Sequence, residues 1–475
     1  MSQVLRALGT AVAGCMIIAT TACTTHTTAS DANVTTTATQ QQAAGGGSTT
    51  PHTANPFDSL YPADFRLQPL GKVTAAAAQP PAKATGLTDG ITDATHHTLV
   101  FRATAGADTA PHSTRIRHEY SRRQAFNADS SHYLAQNNRG EWYLYDAVTF
   151  ENLGRIPQLT GDAEPLWHPH DPNILWHTAR NGGTSWMSLD VSTGAEQKLL
   201  DLSELSPWPQ ATAYWTGGEG SASADGGILT LMATSYDSQA QRVTVHGVLT
   251  VDVKQQKLVG SLAAASFPTP HAVPDHVSTA PSGKYAVVSW LAEHGGTVAY
   301  STDFKETQQL TQSSEHSDLA LGPAQEDFFV YADYQAGAIT ARNITSGESF
   351  SIRSLYPAPG EAYAVHISGQ AFGRPGWVLI STYAATRDYG AAAAPDNSQA
   401  EYGRIWLAEL QANGQQLTVA NTMVDHTKVP ETEAYFAEPQ ASISRDGSRI
   451  IFASNYGGAE INSYIIGLPS SVYSR

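Results

Sequence analysis

One motif recurs seven times along this chain, and a polypeptide built on seven copies of a small unit has few folds open to it. The motif is a short polar lead, a strand, a tight turn and a second apolar strand. Its clearest copies run from Tyr120 to Ala135, Asp162 to His177 and Ala437 to Ala453. Looser copies run from Glu219 to Ala233, Asp275 to Trp290, His316 to Ala332 and His366 to Tyr383. Each is followed by a further β-rich segment, in order EWYLYDA, SWMSLDV, VLTVDV, TVAYSTD, AITARNI, RIWLAEL and SYIIGL. These segments alternate or run apolar and are rich in Val, Ile, Leu, Tyr and Trp, the residues that fit a pleated surface. Asp, Asn, Pro and Gly stand where the chain must reverse. The period averages about 50 residues.

A single four-stranded unit cannot bury both of its faces, whereas units packed radially can. The expected fold is therefore all-β: a seven-bladed β-propeller over residues 98–475. The last unit runs out of chain after about three strands, and an unassigned strand, Thr98 to Thr104 (TLVFRAT), stands in front of the first. That strand is expected to complete the last blade, joining the ends and removing an open sheet edge. Asp225-Gly226 and Asp446-Gly447 read as turn chemistry within the motif.

Two copies, EPLWHPHDPNILWH and EPQASISRDGSRIIFA, resemble the WD40-like repeats of TolB-type propellers. The resemblance covers about 350 residues as architecture and specifies fold rather than activity. The first unit, HEYSRRQAFNADSSHYLA, also resembles the first blade of oligogalacturonate lyase-like propellers. That second resemblance implies β-elimination on acidic sugar polymers and a manganese ion held by His and Gln side chains. The seventh copy departs from it, with Gln440 where a metal-binding His would align.

The chain opens differently. Arg6 precedes an apolar run that ends in small residues before Cys23. This pattern resembles a lipoprotein signal, with residues 1–22 removed and Cys23 lipidated. Cys15, in Val-Ala-Gly-Cys, is an alternative that leaves almost no apolar run after Arg6. Both cysteines lie in this segment, so the body has no disulfide and no thiolate chemistry. Thr24 follows Cys23, which gives no inner-membrane retention signal and points to the outer membrane, with the body in the periplasm or at the cell surface. Residues 23–57 are Thr, Ala, Gln, Gly and Ser with hardly an apolar side chain, and are expected to be a disordered tether. Residues 58–97 read as an irregular lead-in.

The formal charge is −16, which disfavours nucleic acid as a partner. Arg115, Arg117, Arg122 and Arg123 nonetheless fall within nine positions, either as solvated strand ends or as a local anion patch.

Propeller ligands bind where the loops leading into the inner strands converge. The leads here are His118, Tyr120, Arg122 and Arg123; Glu164 and His168; Trp215 and Glu219; His271, Asp275 and His276; His316 and Asp318; His366 with Tyr383; and Glu438 and Gln440. His168-x-His170 also fits the turn of its repeat. His276, His316 and His366 come from consecutive units and leave a divalent metal open as an alternative; no cofactor is otherwise expected.

Two functions follow. One is a monomeric, lipid-anchored module that binds a carbohydrate or an envelope protein. The other is a polysaccharide lyase, with Arg122 or Arg123 neutralising a uronate carboxylate, His118 or His366 as base, and Tyr120 or Tyr383 protonating the leaving oxygen. The chain carries no G-x-S-x-G elbow, P-loop or dinucleotide fingerprint.

Overall fold

The computed structural model describes residues 54–73, 79–385 and 399–473. Cys15, Cys23 and nearly all of the tether lie outside them.

Regular structure is nearly all strand, because the repeat copies and the segments after them alternate apolar side chains with period two. The first repeat pairs Arg115–Arg117, His132–Asn137, Glu141–Asp146 and Asn152–Thr160 in chain order. The second is Leu166–Trp167, Ile174–Thr178, Ser185–Asp190 and Glu196–Asp201, and the third is Ala213–Trp215, Ile228–Asp237, Arg242–Asp252 and Lys257–Ala263. The fourth runs from Pro274–Thr279 through Tyr285–Trp290 and Thr297–Ser301 to Thr307–Thr311, and the fifth from Ser317–Leu321 through Asp327–Asp333 and Ala338–Asn343 to Ser349–Ser354.

The sixth sheet is Tyr363–Ser368, Trp377–Ala385, Arg404–Glu409 and Gln416–Asn421, with Gln68–Pro69 added outside. The last repeat supplies Ser442–Ile443, Arg449–Ser454 and Ile461–Gly467. Leu99–Arg102 pairs antiparallel to Ile461–Gly467, placing Leu99 opposite Gly467 and Arg102 opposite Tyr464. Ile91–Thr92 pairs outside Leu99–Arg102. A short parallel pairing, Ile461 with Arg115 and Asn462 with Ile116, joins the last repeat to the first in one nine-stranded sheet.

Two expectations change. Asn55 and Phe57 belong to the folded body rather than to the tether: Phe57 is fully buried, and Asn55 Nδ2 donates to the Leu468 carbonyl at 2.8 Å. The stretch 58–97 is not irregular throughout, since it contributes both short strands named above. Tyr61 explains part of this order. Its hydroxyl donates to the Gly467 carbonyl at 2.6 Å and accepts from Leu99 N–H at 2.7 Å, fastening the lead-in across the first and last strands. Gly467 is glycine because a Cβ there would stand 2.1 Å from the Phe57 ring.

The apolar cores lie between neighbouring sheets. Leu134 and Trp142 of the first pack with Trp167 and Leu175 of the second. Trp176 and Trp186 pack with Leu229 and Leu249, Met232 and Val248 with Val277 and Trp290, and Val287 and Leu310 with Leu319 and Phe329. Val330 and Ile339 pack with Val365 and Trp406, and Leu379 and Leu407 with Ile450 and Phe452. Phe101 of Leu99–Arg102 and Ile465 of the last repeat then meet Phe126 and Tyr133 of the first. Burying a large side chain of this kind contributes about 1.5–3 kcal/mol, so each interface depends on the sheets on both of its sides.

Candidate functional site

The repeat leads do converge, and what they meet is the chain between Arg117 and Gln124. The inner edge of the first repeat is interrupted there: Ile116 and Arg117 pair with the second strand, the chain turns away, and Phe126 pairs again with Tyr133. The excursion is buried. Arg117, His118, Arg122 and Arg123 are between 1% and 5% exposed.

Arg123 reaches three repeats. Its Nε donates to Glu119 Oε2 at 3.1 Å, its Nη1 to the Gly220 carbonyl and its Nη2 to the Pro165 carbonyl at 3.3 Å. Its own carbonyl accepts from Ser442 Oγ at 2.7 Å. Arg122 points to the fourth and fifth repeats. Its Nη1 bonds to His276 Nε2 and lies 2.9 Å from Glu219 Oε2, while Nη2 donates to the Glu315 carbonyl at 3.5 Å. Gln124 Nε2 donates to the Ile443 carbonyl at 3.1 Å and the Gln370 carbonyl at 3.4 Å. One eight-residue segment thus bonds to all six other repeats.

Neighbouring leads also bond to one another. Glu164 is fully buried at φ 49° and its carboxylate accepts from Thr216 N–H at 2.8 Å, Thr216 Oγ1 at 3.0 Å and Gly218 N–H at 2.5 Å. These bonds hold a left-handed backbone that a non-glycine residue adopts at a cost of about 1–2 kcal/mol. Val277 N–H donates to the Thr216 carbonyl at 2.8 Å. His276 Nδ1 lies 3.3 Å from Asp275 Oδ2, which Ser314 Oγ approaches at 3.5 Å. His316 Nδ1 bonds to the Val365 carbonyl at 2.9 Å, and Asp318 Oδ2 accepts from Gly369 N–H at 2.7 Å and Gln370 Nε2 at 3.1 Å. His366 Nε2 meets Glu438 Oε2 at 2.8 Å. Gln440, at φ 38°, takes Arg117 on its side-chain oxygen and His118 Nε2 on its carbonyl at 2.7 Å.

An aromatic nest stands beside this network. The His366 ring lies 4.6 Å from His316, 4.6 Å from Tyr383 and 5.4 Å from Tyr120. Burial pushes His118 and His316 down to about 3, reinforced by Arg117 at His118 and by His366 at His316. Burial also lowers His366, with Arg117 and Arg122 adding to the effect. The carboxyls move the other way. Burial raises Glu119, Glu315 and Glu438 to about 7 and Asp318 to about 6. The His366–Glu438 contact is therefore held by groups that both favour their neutral forms.

The arginine run is neither a solvated strand end nor a free anion patch. Arg117, Arg122 and Arg123 are buried against carbonyls and carboxylates, and Arg115 bonds to Glu433 at 2.7 Å. His168 stands apart from the convergent set. Its Nδ1 accepts from the His170 and Asp171 backbones at 3.2 and 2.8 Å, which makes it a turn residue. Glu119 and Glu315 were missed among the leads. Glu119 was readable as the i,i+4 partner of Arg123; Glu315 is joined through its carbonyl, which no motif marks.

The residues present do not fit a metal held by His276, His316 and His366. His276 is bonded to Arg122, His316 to a carbonyl and His366 to Glu438, and Gln440 is taken by Arg117. Among the described residues no three His, Cys, Asp or Glu side chains are placed to hold an ion together.

No protein-family model and no curated protein matches the sequence. Solved structures do share the fold. An oligogalacturonate lyase in complex with manganese superposes with a TM-score of 0.54 at 15% identity, covering 84% of this chain and 100% of that one. Oligogalacturonate lyase from Vibrio parahaemolyticus gives 0.51 at 13% identity, covering 81% and 97%. The WD40 domain of Neurospora crassa Pan2 gives 0.42 at 11% identity, covering 75% and 95%. The fold is that of a β-propeller protein.

Proposed function

We propose that this chain is a seven-bladed propeller closed by its N-terminal strand, anchored to the outer membrane through a lipid on Cys23, that binds a glycan or an envelope partner at the end where the leads converge. The ring reading rests on the apolar cores, which follow one another from the first repeat to the last and back to the first. No single sheet has to close on itself in such an arrangement, because closure comes from face-to-face packing and from Leu99–Arg102 lying beside Ile461–Gly467.

One observation favours binding over elimination: Arg122 and His118, the first choices for a lyase's clamp and base, are both buried and engaged. Arg122 is held by Glu219 and His276. His118 is 1% exposed, with Nε2 on a carbonyl and Nδ1 sealed in the interior without a partner. A base must come within about 3 Å of the proton that it removes, and a buried ring cannot approach a polymer. Glu219, Asp275, His316 and Tyr383, each with partners of its own, keep part of their surface exposed. They combine carboxylates with ring faces. These carboxylates repel a polyuronate, so the expected ligand is a neutral or amine-bearing glycan, or an envelope protein.

The test is to incubate the protein with pectin-, alginate- and ulvan-type polymers and follow unsaturated products by ultraviolet absorbance, alongside a pull-down from envelope glycan fractions. The expected result is no absorbance change and a retained fraction that Asp275→Ala and Tyr383→Ala release. Product formation lost in His118→Ala and Arg122→Ala would establish the lyase instead.

A further inference from the structure

A recess lies where the end of Ser317–Leu321 meets the turns of the sixth repeat and the C-terminal segment. A cavity of about 230 Å³ is lined by Pro323, Pro375, Trp377, Gln411, Gln415 and Tyr473, with Glu409 at its base. His316 leads into Ser317–Leu321 and Pro323 follows it, so the recess lies one five-residue strand, about 17 Å, from the Arg117–Gln124 network and the leads that bond to it, the hub.

Its base is fixed backbone. Gly376 N–H donates to the Leu321 carbonyl at 2.7 Å, and Leu410 N–H donates to the Gly376 carbonyl at 2.8 Å. Gly376 has φ 91°, a left-handed backbone that favours glycine, and packs against Pro323. Trp377 meets Tyr473 edge to face at 5.7 Å, and Tyr473 is held by its hydroxyl on the Gly447 carbonyl at 2.9 Å with Arg374 over its ring. Glu409 is buried and engaged, accepting from Gln415 N–H at 3.2 Å. Among the described residues, the Trp377 indole N–H and the side-chain amides of Gln411 and Gln415 carry no hydrogen bond.

These groups fit one kind of ligand. The backbone is spent on itself and two prolines line the wall, so an extended peptide finds no row of donors to pair with. The unpaired groups are neutral, which offers nothing to a charged ligand. Primary amides both donate and accept, as the adjacent hydroxyls of a sugar do, and an indole offers a flat apolar face and one donor to a pyranose ring. The volume lies below the usual range for drug-sized ligands, about 300–1,000 Å³, and suits one ring. We propose that this recess is a subsite for a single neutral pyranose unit, distinct from the hub and independent of what the hub binds.

The experiment is saturation-transfer NMR on the full chain, with methyl glucoside and N-acetylglucosamine as probes at millimolar concentration. The expected result is saturable transfer to ring protons of at least one probe. Gln411→Ala with Gln415→Ala should weaken it at least fivefold with the melting temperature unchanged, since both side chains are exposed. Trp377→Ala should abolish it and Trp377→Phe retain part. Absence of saturable transfer to either sugar, or transfer unchanged in the double amide variant, overturns the proposal.

Discussion

Two polar stretches of this protein look alike in sequence and behave in opposite ways. The turn between the second and third strands of the third repeat, Asp237 to Gln241, and the excursion from Arg117 to Gln124 are both short polar runs between strands. In the turn, Asp237 accepts from Gln239 N–H at 2.9 Å and from Ala240 N–H at 3.1 Å, partners two and three residues away. In the excursion, Arg123 and Gln124 reach carbonyls 42 to 319 residues away. The first stretch closes a hairpin, and the second ties the repeats together. Loss of a local bond costs one hairpin a little; loss of a hub bond strands buried polar groups in several sheets at once.

That difference sets the size of each expected effect. Arg123→Ala removes a guanidinium from Glu119 and two buried carbonyls, and should lower unfolding free energy by about 3–5 kcal/mol in chemical denaturation. A loss below about 1 kcal/mol would erase the contrast with the turns. Glu164→Ala should cost about 1–3 kcal/mol by the same measurement, because Thr216 and Gly218 N–H lose a buried acceptor.

The buried groups of the hub also make stability depend on pH. His118 and His316 sit at about 3 against an ordinary 6.5, so from pH 3 to 6.5 the unfolded chain takes up protons that they refuse, and stability rises with pH. Glu119, Glu315 and Glu438 sit at about 7 against 4.5, so from pH 4.5 to 7 the folded chain keeps protons that the unfolded chain releases, and stability falls with pH. Below 4.5 these histidine shifts act without the glutamate shifts, and above 6.5 the glutamate shifts act alone. Calorimetry should give the highest melting temperature between about pH 4.5 and 6.5. Glu119→Gln with Glu438→Gln should reduce the fall from pH 6.5 to 7.5, and a melting temperature that climbs steadily from 6 to 8 is incompatible with the hub.

Smaller effects belong to the turns. Asp446→Ala should cost about 1 kcal/mol, and Asp171→Ala, in an exposed turn, about 0.5 kcal/mol or less in the same denaturation series.

The same contrast explains what could be read from the residues. Strand, turn and repeat are local signals, so the second and third strands of every repeat fall where alternation puts them, and Leu99–Arg102 falls within TLVFRAT. The leads were legible as a set because they share a position in the motif. Their partners were not. Nothing within HEYSRRQ reports that Arg122 will meet His276 or that Gln440 will take Arg117, since those bonds depend on how whole sheets pack. The burial of the arginines was misjudged for that reason: a charged run is buried only when distant groups arrive to satisfy it. Phe57 and Tyr61 likewise stood next to a low-complexity stretch, and their places under Gly467 come from 406 to 410 residues further on.

The central claim is that Arg117–Gln124 is the shared interior of all the repeats. Hydrogen exchange resolved by mass spectrometry tests it directly on the full chain. Amides from His118 to Gln124 should be protected to the level of the second strands, such as Ile450 to Phe452, and should open only with global unfolding. Exchange as fast as that of the exposed turn from Ser238 to Gln241, with the strands still protected, would contradict it.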